Sequence, residues 1–118
     1  MDLPSKLQIK PGQQLLSVLT PESVEPALVD VTASRDDGAT TGLIVFTTDR
    51  SALEQQRTRI AESALGDRLT WVAYPKAGQL GTDLNRDLLA ALLEESGLQP
   101  VRQVAIDGIW SALRFRPA

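Results

Sequence analysis

LTWVAYPKAGQLGTDLNRD, residues Leu69 to Asp87, is the stretch that decides the fold. Leu69–Tyr74 is an apolar run of strand length, stopped by Pro75. A glycine-bearing loop of about eight residues follows, and Thr82–Asp83 offers a helix start. A strand that feeds a helix through a loop is half of a βαβ unit, whose crossover makes the two strands it joins parallel. Ligands of such sheets collect outside the carboxyl ends of the strands. Chemistry is therefore sought near Lys76, Asp83 and Arg86.

Downstream, Thr82 is expected to cap a helix from Asp83 to about Ser96. Leu84, Leu88 and Leu92 form one stripe, Leu89 and Leu93 lie beside it, and Gly97 ends the helix as a left-handed cap. Val101–Ile106 and Ile109–Arg116 flank Asp107-Gly108, a two-residue hairpin signal that asks for positive φ at the glycine. Alternation places Ile106, Ile109, Leu113 and Phe115 on the core side and Trp110 on the other.

Upstream, Arg50–Leu65 carries Leu53, Ile60, Ala61, Ala64 and Leu65 at helical spacing, with Asp49 or Ser51 as cap and Gly66 at its end. Gly42–Thr47 (GLIVFT) is the most apolar strand. Leu28–Ala33 (LVDVTA) alternates like a strand, and Ser34–Thr41 is a polar loop that either crosses back along the sheet or turns a hairpin. Thr20-Pro21-Glu22 reads as the start of a helical stub that Pro26 should stop. Gln14–Leu19 is a short strand buried on both faces, and Leu3–Gly12 is a lead-in ending in a Pro11-Gly12 turn. The order is β, stub, β, β, α, β, α and a terminal hairpin. That predicts one α/β domain over residues 1–118, with a mostly parallel sheet of about six strands and an antiparallel strand at its edge.

Composition narrows the chemistry. The 118 residues carry a formal charge of −3, where a nucleic-acid binder needs a basic footprint. The chain contains neither Cys nor His, which removes disulfides, thiolate metal sites and the commonest general base. No catalytic residue, metal ligand or cofactor is assigned. No apolar run approaches the roughly 18 residues that span a bilayer. The opening MDLPSKLQIKPG lacks the apolar centre of a signal peptide, so a cytoplasmic protein is expected.

LQIKPGQQLLSVL resembles the opening of a class I methyltransferase, in which a Lys-Pro-Gly turn precedes the first strand. The glycine before WVAYP, the helix ending in SGL and the final hairpin are similar as well. WVAYPK, TDLNRD, PVRQVAID and WSALRFRP resemble the signature of a small bacterial family of unknown function, a likeness that covers residues 1–118 and is most specific from Trp71 onward. The resemblance implies a Rossmann-like, methyltransferase-like core. It also implies a glycine-rich turn after the first strand, where a Cβ would block the methionine end of S-adenosylmethionine. Here that turn reads Leu19-Thr20-Pro21-Glu22. The acid that would hold the ribose hydroxyls falls to Asp36 or Asp37, and the third strand with its helices is missing. The chain therefore reads as a trimmed core that binds a small ligand or another protein without catalysis. A minimal S-adenosylmethionine-dependent methyltransferase is the alternative.

The candidate ligand site is Thr20, Thr48, Asp49, Tyr74, Lys76 and Arg86, gathered at one end by strand direction. Each has a structural reading too. Asp49 is an N-cap, and Asp83 and Asp87 are ordinary first-turn acids. Arg102, Arg114 and Arg116 form a basic stripe that would protect an edge strand. Right-handed crossovers place both long helices on one face of the sheet. The other face would then lie bare and apolar, which predicts a homodimer through that face or through a strand edge, unless the lead-in folds back as a helix and covers it.

Overall fold

The computed structural model of the chain describes residues 2–33, 40–76 and 78–118. In chain order the elements are α1 (Leu3–Lys6), β1 (Leu15–Val18), α2 (Glu25–Leu28), β2 (Thr32–Ala33), β3 (Gly42–Phe46), α3 (Arg50–Leu65), β4 (Leu69–Pro75), α4 (Arg86–Glu94), β5 (Leu98–Ala105) and β6 (Trp110–Pro117). They build an α/β fold around one six-stranded sheet of order β2-β1-β3-β4-β6-β5. The first four strands in that order are parallel, and β6 runs antiparallel to both of its neighbours.

The second strand is parallel to the first, with Leu15 opposite Thr32 and Leu16 opposite Ala33. Residues 34–39 of the connection after it, including Asp36 and Asp37, lie outside the described residues. β2 is far shorter than the run Leu28–Ala33, because Leu28 belongs to a helix. Pro26 opens α2 and does not stop a stub. A proline in the first turn gives up only an N–H that has no helical partner there. The hairpin also differs from its expected place. β6 inserts between β4 and β5, so the edge strand is β5 and the antiparallel strand is interior.

β3 is buried along its whole length, as a central strand with both faces covered must be. At its start the backbones of β3 and β4 nearly touch. A Cβ on Gly42 would lie 2.1 Å from the Leu69 carbonyl oxygen, so glycine is required for close approach.

Side-chain alternation divides the core into two layers. On one face Leu43, Val45, Val72, Leu113 and Phe115 meet Leu53, Ile60 and Ala64 of α3 and Leu89, Leu92 and Leu93 of α4. Both long helices thus share a face, as right-handed crossovers demand. On the other face Leu15, Ile44, Phe46, Trp71, Ala73, Trp110 and Ala112 pack against Leu7 and Ile9 of the lead-in and Val24 and Leu28 around α2. Trp71 is fully buried there and donates its indole N–H to the Leu7 carbonyl at 2.9 Å. Phe46 and Trp110 pack edge to face beside it, with centroids 5.3 Å apart. The face expected to be bare is therefore covered by the folded-back lead-in and α2, which removes the reason for two copies to pair through it.

The hairpin connection is wider than two residues. Gly108 does not adopt positive φ. The Asp107 carboxylate turns the chain by accepting the N–H groups of Ile109 and Trp110, both at 2.8 Å. Leu113 and Phe115 take the α3/α4 face and Trp110 the opposite one. Ile106 joins the layer of Trp110, and Ile109 is exposed in the connection.

Candidate functional site

Helix α4 starts later than Thr82. Its N-cap is Asn85, whose side-chain oxygen accepts the Leu88 N–H at 2.8 Å. Thr82 instead accepts the Leu84 N–H at 3.0 Å in a tight local turn, and a short 3₁₀ turn spans Gln79–Gly81. Asp83 therefore precedes the helix and shares no helical face with Asp87. Its carboxylate accepts the backbone N–H of Arg50 at 2.8 Å, at the start of α3. That helix is also capped by Asp49, which accepts the Ala52 N–H at 2.9 Å. Two carboxylates thus serve the positive end of one helix dipole.

The late start of α4 opens a groove at the carboxyl end of β4. A cavity of about 540 Å³ lies there, lined by Tyr74 and Lys76 from the strand end, Asn85, Arg86 and Asp87 from the helix start, and Gln103, Ala105 and Ser111 from the hairpin. Register places these groups. Ser111 stands directly opposite Tyr74 across β4 and β6, and Ala105 directly opposite Ser111 across β6 and β5. Gln103 is the organiser. Its oxygen accepts from Arg86 Nε at 2.9 Å, while its amide nitrogen reaches both Tyr74 Oη and Ser111 Oγ at 3.4 Å. Ser111 Oγ donates in turn to the Val104 carbonyl at 3.2 Å.

The charges at the rim are unevenly matched. Arg86 meets Asp87 at 3.2 Å, but both side chains are largely exposed, so the pair is weak. Lys76 is half-buried, its backbone N–H is tied to the Ile109 carbonyl at 2.7 Å, and its ammonium has no ion-pair partner among the described residues.

Of the six candidate residues, Tyr74, Lys76 and Arg86 come together in this cavity. Thr48 is exposed outside it, and the Asp49 carboxylate is occupied as a helix cap. Thr20 lies at the carboxyl end of β1 in a separate cavity of about 230 Å³, with Ser17, Glu25, Val29, Thr32 and Ala33. There the hydroxyls of Ser17 and Thr20 bond to each other. Gln103 and Ser111 were missed from sequence. Finding them required knowing that β6 sits beside β4. The small polar Ser111 inside the apolar run Trp110-Ser111-Ala112-Leu113 was the available signal.

Among the described residues no helix is long and apolar enough to cross a membrane, and no group of three His, Cys, Asp or Glu side chains is placed to hold a metal ion. No family model matches the chain, and no curated protein matches it.

Proposed function

We propose that the chain is a bacterial cytoplasmic binding domain that takes a small anionic ligand in the groove between α4 and the hairpin and performs no chemistry on it. The observation that carries this reading is the convergence of Lys76, Arg86 and a hydrogen-bonded polar row, Gln103, Ser111 and Tyr74, on one cavity of about 540 Å³. Two cations beside the amino end of α4 suit a phosphate or carboxylate. The polar row suits the neutral part of the same molecule. The chain has no His, and among the described residues the carboxylate lining the groove, Asp87, is exposed and paired with Arg86, which weighs toward binding over acid–base chemistry.

A trimmed methyltransferase remains the enzymatic alternative, and the turn after β1 weighs against it. Leu19 there adopts φ +60, a conformation suited to glycine, yet it carries a full side chain that is 56% exposed. Leu19-Thr20-Pro21-Glu22 thus places side-chain bulk where the cofactor would need bare backbone. The residues present do not fit S-adenosylmethionine.

Thermal-shift titrations with inorganic phosphate, adenosine monophosphate and S-adenosylhomocysteine separate the two readings. A ligand that binds only the folded state, present at 100 times its Kd, adds about 2.7 kcal/mol. The binding reading expects a shift with a phosphate ligand that falls in Lys76→Gln and Arg86→Gln. A shift with S-adenosylhomocysteine that survives both substitutions overturns it. Self-association is proposed only in its edge-to-edge form, through the outer strands β2 and β5 of the sheet. Sedimentation equilibrium giving a concentration-independent monomer at tens of micromolar removes it.

A further inference from the structure

The basic stripe on the hairpin does not do what edge protection requires. Arg114 and Arg116 lie on β6, an interior strand paired on both sides, and only Arg102 lies on the edge. Arg102 stands directly opposite Arg114, an arrangement of like charges that disfavours the pairing. Burial first, then Arg116 and Arg102, push the Arg114 guanidinium below its ordinary value, and Asp67 opposes the shift.

These residues lie toward the amino ends of the parallel strands, away from the groove at the carboxyl end of β4. A cavity of about 500 Å³ opens there, with Lys10, Arg68 and Arg114 in its lining. Both arginines are held by neutral acceptors. Arg68 donates to the Thr40 carbonyl at 2.6 Å, and Arg114 donates to Gln8 Oε1 at 2.6 Å. Among the described residues neither these two nor Lys10 has an ion-pair partner. The acid in the lining, Asp67, is engaged by Arg116 at 3.4 Å. Gln8 and Gln13 also line the cavity, and their amide oxygens are taken by Arg114 and by the Lys10 N–H. Their NH₂ groups are left as donors. Among the described residues the cavity therefore presents two guanidinium groups, an ammonium and amide donors against one carboxylate, Asp67, which Arg116 meets in an exposed pair.

We infer that this cavity is a second, separate anion site, built for a phosphate or diphosphate group gripped by Arg68, Arg114 and Lys10. Guanidinium groups held by neutral oxygens, and not by a carboxylate, keep charge and N–H donors to offer, which is the arrangement a multiply charged oxyanion rewards.

The test is a titration of inorganic pyrophosphate into the full chain at constant ionic strength, followed by backbone amide shifts. Saturable shifts at Thr41, Arg68 and Arg114 are expected. Lys10→Gln and Arg68→Gln, both at exposed positions, should each weaken binding about tenfold, the loss of one charge-assisted contact. Arg114→Lys, which keeps the charge and loses the fork, should weaken it less than Arg114→Gln. Equal shifts from chloride at matched ionic strength, or affinity unchanged in both exposed variants, would overturn the site. Shifts confined to Lys76, Arg86 and Gln103 would overturn it while supporting the groove at α4. Tighter binding of a hexaglutamate peptide to the same residues would overturn the phosphate assignment in favour of an acidic protein segment.

Discussion

One face of the sheet is covered by two regular helices of 16 and 9 residues, the other by two helices of four residues each and the chain between them. Burial does not register the difference. Leu53, Ile60, Leu89 and Leu93 under the long helices are fully buried, and so are Leu7, Leu15, Leu28 and Trp71 under the short ones. What differs is how each cover is held. A long helix carries its own backbone hydrogen bonds and needs only an apolar stripe to dock. A four-residue helix is far below the length at which a helix is stable alone, so it persists through its tertiary contacts. The cover of the second face therefore hangs on a few anchors: the Trp71 indole on the Leu7 carbonyl, Leu28 in the core, and Thr32 Oγ1 donating to the Leu28 carbonyl at 2.9 Å.

The largest effect should come from the strand that both covers share. Gly42→Ala drives a Cβ into the Leu69 carbonyl, and neither backbone can yield without parting β3 from β4. We expect a loss of about 3 kcal/mol or more in urea unfolding, with both tryptophans reporting one transition. A loss below about 1 kcal/mol would mean that the two strands separate freely there.

Comparing one leucine from each cover sharpens the contrast. Leu28→Ala under the short segments and Leu89→Ala under α4 each empty a fully buried site and should each cost about 3 kcal/mol. Equal losses establish the thin cover as true core. A loss for Leu28→Ala under half that for Leu89→Ala would show that α2 relaxes into the space, and that the second face is held more loosely.

The same contrast explains what could be read from sequence. α3 was legible because period, cap and length agree: Leu53, Ile60 and Ala64 recur at helical spacing behind Asp49. The cover of the second face was legible only as an alternative, the lead-in folding back as a helix, because Leu7 and Ile9 follow no helical spacing and Pro26 opens a short helix as readily as it stops one. The start of α4 was ambiguous for another reason. Thr82, Asp83 and Asn85 are all good caps; the Thr82 hydroxyl is taken by the Leu84 N–H and the Asp83 carboxylate by the Arg50 N–H, 33 residues away, while Asn85 caps the helix. The candidate site divides along the same line. Tyr74, Lys76 and Arg86 follow from strand direction alone, whereas Gln103 and Ser111 depend on β6 entering the sheet beside β4.

A smaller effect should appear at the hairpin, where Ile106 and Trp110 close the thin face. The Asp-Gly pair suggested that the glycine sets the turn, but the carboxylate does so. Asp107→Ala leaves the Ile109 and Trp110 N–H groups without their acceptor and should cost about 1 kcal/mol. Gly108→Val should change stability by less than about 0.5 kcal/mol, because φ is not positive and a Cβ there meets nothing within 4 Å. The reverse ranking in thermal melts would restore the glycine turn.

The smallest effect is a pH dependence confined to the first turn of the thin cover. Asp2 caps α1 by accepting the Ser5 N–H at 3.0 Å, and hydrogen bonds from Ser5 lower its pKa from 3.8. A carboxylate lowered on folding contributes its stability above the unfolded value, and loses it as pH falls through the folded one. The cap should thus be intact at neutral pH and weaken below about pH 3.8, with the Ser5 amide exchanging faster as it does. Asp2 is fully exposed, so the change should stay local and leave the Trp71 indole N–H protected. Asp2→Asn keeps an acceptor that cannot titrate, and should hold Ser5 protection constant over the same range. If Ser5 loses protection identically in that variant, acid is opening the lead-in as a whole and the cap is not the titrating element. If the Trp71 indole loses protection along with Ser5 in the parent, the thin cover opens as one unit, and its anchor is weaker than the burial of Leu7 implies.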